Sequence, residues 1–310
     1  MQVANGAGAC PGAIGQVFPT AVVNMVMSMR SFEILVDDVE QSMLRLTAPG
    51  DDTTSTAASY HLSSGGRRVR CKLALDAGRR LGLDDASSVA IAATCELLHN
   101  ASLIHDDLQD GDCMRRGTQS VWAKFGKDVA LCVGDLFVSA AYASLAGVKN
   151  TELAPLMRAS HLAVSRVIHG QIADLCDLPS AIDGYLETIS GKSGALLCLP
   201  LELCFIAGRR NGALDAARHA VDAFAVAYQI SDDLGDWRAD IENGRMNIVA
   251  VLEHNAAVGR EIAIQRARQM AFEHLDLSEE LALRFPEGCG RLIANYACEM
   301  RDALASKDAA

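Results

Sequence analysis

The sequence predicts an all-α fold, a single bundle of roughly ten or more helices. Three observations lead there. Half of the residues are hydrophobic but only 5% are aromatic, and Ala, Leu and straight-chain polar residues dominate, the types that lose least on entering a helix. From Ser31 onward, apolar positions recur at helical spacing, and no alternating strand pattern of useful length interrupts them. Turn signals punctuate this pattern at Thr47-Ala-Pro-Gly-Asp-Asp, Gly147-Val-Lys-Asn and Gly208-Arg-Arg-Asn-Gly.

Taken in order, residues 1–30 read as a loose extension rich in Ala and Gly, and residues 31–310 as one helical domain. The apolar run from Ile14 to Met29 is broken by Gly15, Gln16, Pro19, Thr20, Asn24 and Ser28, so neither an export signal nor a membrane span is expected. The first helix is expected to start at Ser31 and another to cover Arg67–Leu81. Asp84 and Asp85 open a long apolar helix through Val89, Ile91, Leu97, Leu98, Leu103, Ile104 and Leu108. Further helices are expected over Val129–Gly147, Thr151–Asp177, Gly184–Ala207, Asp215–Asp236, Ile262–Leu275 and Glu279–Ser306. Several are nearly apolar all round, which marks them as core helices.

A formal charge of −11 argues against non-specific nucleic-acid binding, so an anionic substrate must be held by local cations or metals. The ten cysteines are scattered without C-x-x-C or metal-ligand spacing, and several lie in apolar stretches. That usage predicts free thiols and a cytoplasmic location.

Two acidic clusters carry the chemistry. In His105-Asp-Asp-Leu-Gln-Asp110, Asp106 and Asp110 stand four residues apart, one above the other on one helix face, with Asp107 beside them. Their repulsion, at the end of an apolar segment, calls for a compensating cation. The same spacing returns in Ser231-Asp-Asp-Leu-Gly-Asp236, again after an apolar helix, giving Asp232, Asp233 and Asp236. Either cluster alone reads as a solvated acidic turn; two in equivalent contexts do not. Oxygen ligands without His or Cys suit a hard cation such as Mg²⁺, which shares its shell with substrate phosphates.

Two basic clusters complement them. Gly65-Gly-Arg-Arg-Val-Arg70 sets three guanidinium groups at a helix start, and Met114-Arg-Arg-Gly117 adds two beyond the first acidic cluster. Arginine's planar fork matches phosphate oxygens, and a helix N-terminus adds free N–H groups.

With these motifs in order, the chain from about Ser31 resembles the trans-prenyl diphosphate synthases of the polyprenyl synthetase family. The resemblance rests on Gly65-Gly-Arg-Arg-Val-Arg, Leu98-His-x-x-Ser-Leu-Ile-His-Asp-Asp-x-x-Asp, Met114-Arg-Arg-Gly, Gly170-Gln, Lys192-Ser-Gly-Ala-Leu and Tyr228-Gln-Ile-x-Asp-Asp-x-x-Asp. It implies a central cavity in the isoprenoid synthase manner and Mg²⁺, about three ions with substrate bound. The metal positions would be Asp106, Asp107 and Asp110 on one wall and Asp232, Asp233 and Asp236 on the other. Arg115, Lys192, Ser193 and Gln229 would contact the allylic diphosphate, whereas Arg67, Arg70, His99 and Arg116 match the pocket for isopentenyl diphosphate. Asp106, Asp110, Asp232, Lys192 and Arg115 would carry catalysis, by ionisation, condensation and proton loss. A homodimer is also implied.

Departures accompany the match. Arg67 stands where the family usually has Lys, and Cys71 where it usually has Pro. The stretch after Asp236 is short and lacks the usual loop lysine, for which Arg238 or Arg245 are the candidates. Product length is expected to depend on the helix below Asp106, where Ala101 and Ser102 leave no aromatic floor; Leu98, Phe137 and Tyr142 are the deeper candidates. This pattern leans to geranylgeranyl diphosphate. A terpene cyclase on the same architecture and a non-catalytic subunit of a synthase are the competing readings.

Overall fold

The computed structural model describes residues 30–149, 152–176, 181–242, 244–256 and 258–306. All but the last residue of the expected N-terminal extension lies outside them.

Helix starts follow local capping chemistry. The Ser31 hydroxyl accepts from Ile34 N at the start of α1 (Phe32–Thr47). Asp52 caps α2 (Thr53–Ser63) by accepting from Thr54 N and Ser55 N at 2.8 and 3.1 Å. After α3 (Val69–Arg80), Asp84 accepts from Ser87 N at 2.8 Å and opens α4 (Asp85–Asp110). Gly111, at φ 73°, ends α4 with a left-handed residue that a side chain would strain.

α4 is the axis of the bundle. It packs against α3, α1, α6 (Lys127–Leu145) and α9 (Ala195–Ala207), and buries Ile91, Leu97, Leu98 and Ile104. α5 (Val121–Phe125) leads into α6. α7 (Leu153–Cys176), α8 (Ile182–Ile189), α10 (Leu214–Glu242), α11 (Ile248–Ala256), α12 (Arg260–Ala282) and α13 (Arg291–Ser306) complete the bundle. α9 is apolar on every side and nearly all of it is buried, as expected of a core helix.

Several boundaries differ from the sequence expectation. The stretch Gly184–Ala207 is not one regular helix: α8 and α9 are joined by a π-helical turn, Ser190–Gly194. The expected break near Ser278 is absent, because the helix-forming run through Glu279 and Leu281 continues α12 to Ala282. The break falls at Pro286, which cannot extend a helix, and at Glu287, held at φ 54°. α2, α5 and α11 were not expected. Nor was the two-stranded hairpin of β1 (Met114–Arg115) and β2 (Thr118–Gln119). Its turn residues Arg116 and Gly117 both have positive φ, 51° and 80°, the geometry that matches strand twist; two-residue strands are too short to show alternation.

Lys127–Leu145 and Ile182–Ala207 are long and apolar enough to cross a bilayer on composition alone. In the fold the second is mostly buried inside the bundle and the first packs along α4.

Candidate active site

A cavity of about 1480 Å³ opens between the C-terminal half of α4 and α10, with α3, α13 and the π turn closing it. Helical spacing selects its first wall. His99, Leu103, Asp106 and Asp110 recur every three or four residues and share one face of α4, and all four line the cavity. Burial raises the Asp106 carboxyl to about 6, with Lys192 across the cavity opposing the rise.

Asp107, which the sequence reading placed with the metal carboxylates, is engaged by a protein partner. It is 1% exposed and outside the cavity lining, and its Oδ1 accepts from Arg115 Nε at 2.7 Å and Nη2 at 2.6 Å. Adjacent helical residues project about 100° apart, and here Asp106 lines the cavity whereas Asp107 does not. Arg115 still reaches the cavity lining while held by this carboxylate.

The second wall repeats the division. Tyr228, Gln229 and Asp232 of α10 line the cavity. Asp233, also expected among the metal carboxylates, is 2% exposed and turned inward. It accepts from Tyr185 Oη at 2.9 Å, Gln229 Nε2 at 2.8 Å and Ile248 N at 2.7 Å. These bonds satisfy a buried carboxylate and tie α8 and the start of α11 to α10. Asp236 is exposed one turn beyond Asp232, outside the cavity lining.

Lys192 and Ser193 enter the cavity from the π turn. Gly170 of α7 permits this approach: a Cβ there would lie 2.6 Å from Lys192 N and 2.9 Å from Gly191 C. A π turn sets one more residue per turn than an α-helix, which re-aims side chains at functional sites. The Gly170-Gln signal in the sequence thus has a steric cause.

Arg67, Arg70 and Arg116 gather at the other end, joined by Arg68 and Lys72. Burial depresses the Arg70 and Arg116 guanidinium groups, and burial together with Arg70 and Arg116 keeps the His99 imidazole neutral. Arg116 Nη1 donates to Gly65 O across the cluster. A local cationic pocket therefore exists within a chain of net charge −11. Sequence reasoning missed Lys72, Glu96, Tyr296 and Glu299 as lining residues. Tyr296 and Glu299 come from α13, which no motif connects to the cavity.

The expected chain-length residues lie elsewhere. Leu98, Ala101 and Phe137 are core, and Phe137 packs edge-on against His61 with ring centres 5.8 Å apart. Ser102 is half-buried, its hydroxyl donating to His99 O at 2.8 Å. Tyr142 is likewise half-buried, and none of these five lines the cavity, whose apolar surface comes from Leu103, Leu197 and Phe224. The substitutes for the loop lysine also face outward. Arg238 lies over the Trp237 ring at 5.1 Å, and Arg245 reaches Asp112 at 3.6 Å.

Among the described residues, no three carboxylate, imidazole or thiol groups converge closely enough to hold an ion alone. Asp106, Asp110 and Asp232 instead face one cavity from two helices, a set that holds a hard cation when ligand oxygens complete its shell.

Comparison with known proteins shows the family and the fold. Residues 51–249 match the polyprenyl synthetase family. The chain is 29% identical over 262 residues to the (2E,6E)-farnesyl diphosphate synthase of Mycobacterium tuberculosis, covering 74% of this chain and 71% of that one. It is 27% identical to geranylgeranyl pyrophosphate synthase 11 of Arabidopsis thaliana, covering 80% and 74% respectively. In fold it is similar to a decaprenyl diphosphate synthase from Rhodobacter capsulatus, with a TM-score of 0.75 and 20% identity over 92% of this chain and 99% of that one. The chain belongs to the polyprenyl synthetase family.

Proposed function

We propose that this prenyltransferase joins isopentenyl diphosphate to an allylic diphosphate, giving a longer trans-prenyl diphosphate. One observation carries the reading: two acidic walls and an arginine end face a single cavity, so a metal-bound diphosphate and a second, arginine-bound diphosphate meet in it. Asp106, Asp110 and Asp232, with Asp236 at the rim, would hold Mg²⁺. Bound Mg²⁺ supplies the Lewis acidity that eases departure of diphosphate.

The protein's own groups do the rest. Lys192, Ser193 and Arg115 hold the allylic diphosphate as its C–O bond breaks and negative charge develops on the leaving oxygens. Arg67, Arg70, Arg116 and neutral His99 hold isopentenyl diphosphate so that its double bond reaches the allylic cation. The new C–C bond forms, and a proton leaves to the released diphosphate.

Geranylgeranyl diphosphate is the product we favour on the sequence pattern, which has small Ala101 and Ser102 before Asp106 and no aromatic floor there, although neither residue lines the cavity. Relatives named for farnesyl, geranylgeranyl and octaprenyl products all match this chain, so the family alone does not choose among lengths. A terpene cyclase has no use for the arginine end, and a non-catalytic subunit has no use for two acidic walls. Exposed Leu131 on α6 and Met157, Leu162, Ile168 and Ile172 on α7 favour a homodimer across that face. Free, mostly buried cysteines among the described residues favour the cytoplasm.

The test is incubation with Mg²⁺, labelled isopentenyl diphosphate and dimethylallyl, geranyl or farnesyl diphosphate, followed by product sizing. Label is expected in geranylgeranyl diphosphate. No incorporation with any primer refutes the synthase reading, and diphosphate release from a long primer alone supports the cyclase.

A further inference from the structure

The arginine end poses a physical problem. Arg67, Arg68, Arg70 and Arg116 crowd one end of the cavity, and burying unpaired guanidinium groups is costly. A buried carboxylate sits among them, while Glu40, which also pairs with Arg68, is 42% exposed. Glu96, on α4 one turn before His99, lines the cavity and is 3% exposed.

Its two oxygens are engaged at the base of the cluster. Oε1 accepts from Cys71 N at 2.9 Å, and Oε2 lies 3.8 Å from Arg68 Nη1. Cys71 N is a first-turn donor of α3, one of the groups that no helical carbonyl satisfies. Arg68 is the residue before α3 and adopts φ 50°, ψ 40°, a left-handed conformation that a side chain resists. It is held there by Glu96, by Glu40 Oε1 at 3.0 Å and by Leu62 O at 3.3 Å.

Arg70 is left differently. Its Nε is buried without a hydrogen-bond partner, and the side chain lines the cavity. Glu96 therefore lowers the charge of the cluster by binding its backbone and Arg68, without occupying the Arg70 fork.

We propose that Glu96 is a positioning residue for the diphosphate bound at the arginine end, fixing the first turn of α3 so that Arg70 is presented to it. Assigning that diphosphate to isopentenyl diphosphate rests on the proposed condensation. The positioning itself requires only that an anion binds there.

Two readouts separate these. Calorimetric titration with inorganic pyrophosphate in EDTA reports the basic end without metal. Glu96→Gln is expected to weaken that binding about tenfold, as loss of a charge-assisted contact implies. In steady-state assays the same variant is expected to raise KM for isopentenyl diphosphate by about tenfold, with KM for the allylic substrate within about twofold. A role in stability alone would lower the folded fraction and leave both KM values in place.

Cys71→Pro deletes the N–H donor while keeping a helix-compatible backbone and is expected to weaken pyrophosphate binding about threefold; Cys71→Ala keeps the donor and should leave it unchanged. This pair decides the matter if Glu96→Gln does not fold. Absence of pyrophosphate binding by the wild-type protein overturns the proposal. So does unchanged or tighter binding by folded Glu96→Gln, or equal binding by the two Cys71 variants. A wild-type protein that binds pyrophosphate but never condenses substrates refutes the condensation reading alone.

Discussion

Asp107 holds Arg115 through contacts of 2.7 and 2.6 Å to one buried carboxylate oxygen, beside Asp106, which lines the cavity where Asp107 does not. Two neighbouring aspartates thus have opposite tasks: one is offered to a ligand, the other anchors the hairpin that carries Arg115 and Arg116.

Separate consequences follow for their substitution. Asp106→Asn is expected to abolish turnover with little change in the thermal unfolding midpoint. Asp107→Asn removes the buried charge that pairs with Arg115, itself 27% exposed, and is expected to destabilise the fold by about 2 kcal/mol. Denaturant unfolding of both variants checks this; equal stability of the two would refute the division.

Asp233 should behave like Asp107. Tyr185→Phe removes one of its three donors and is expected to cost about 1 kcal/mol, whereas Asp233→Ala strands Ile248 N and Tyr185 Oη and is expected to cost about 3 kcal/mol. Activity per folded molecule should survive Tyr185→Phe, as measured by turnover normalised to native protein.

Gly170→Ala tests the π turn. The added methyl would meet Lys192 N at 2.6 Å, so α7 and the turn must separate and Lys192 must move. We expect a loss of kcat of about tenfold or more and a destabilisation of about 1–3 kcal/mol. An unchanged kcat would show that the lysine's position is not set by this contact.

His61 makes stability depend on pH. It is buried, donates from Nε2 to Asn100 Oδ1 at 3.0 Å, and has its pKa lowered to about 4, chiefly by burial. The unfolded chain takes up that proton near 6.5 and the folded chain only near 4. The contribution is therefore complete above 6.5 and is lost as pH falls from 6.5 towards 4, by about 3 kcal/mol. Unfolding midpoints measured across this range should fall less steeply in His61→Gln than in the wild type.

The helices were legible because their signals are local. Ser31 and Asp84 accept from the backbone within three residues, and Gly111 ends α4 through its own φ. The π turn was not legible, because Ser190–Gly194 owes its shape to contact with Gly170 on another helix. Pro286 marked a break, but the apolar and charged run before it fits a helix equally well on either side of Ser278.

The spacing of four between Asp106 and Asp110, and between Asp232 and Asp236, was written in the chain, since helical geometry puts such pairs on one face whatever surrounds them. Which face meets the cavity was decided only when the helices packed. Asp107 and Asp233 carry the same side chain as their neighbours, yet Arg115, Tyr185 and Ile248, up to 48 residues away, claim their oxygens. A carboxylate's chemistry depends on what desolvates and partners it, and those partners are brought together by tertiary structure.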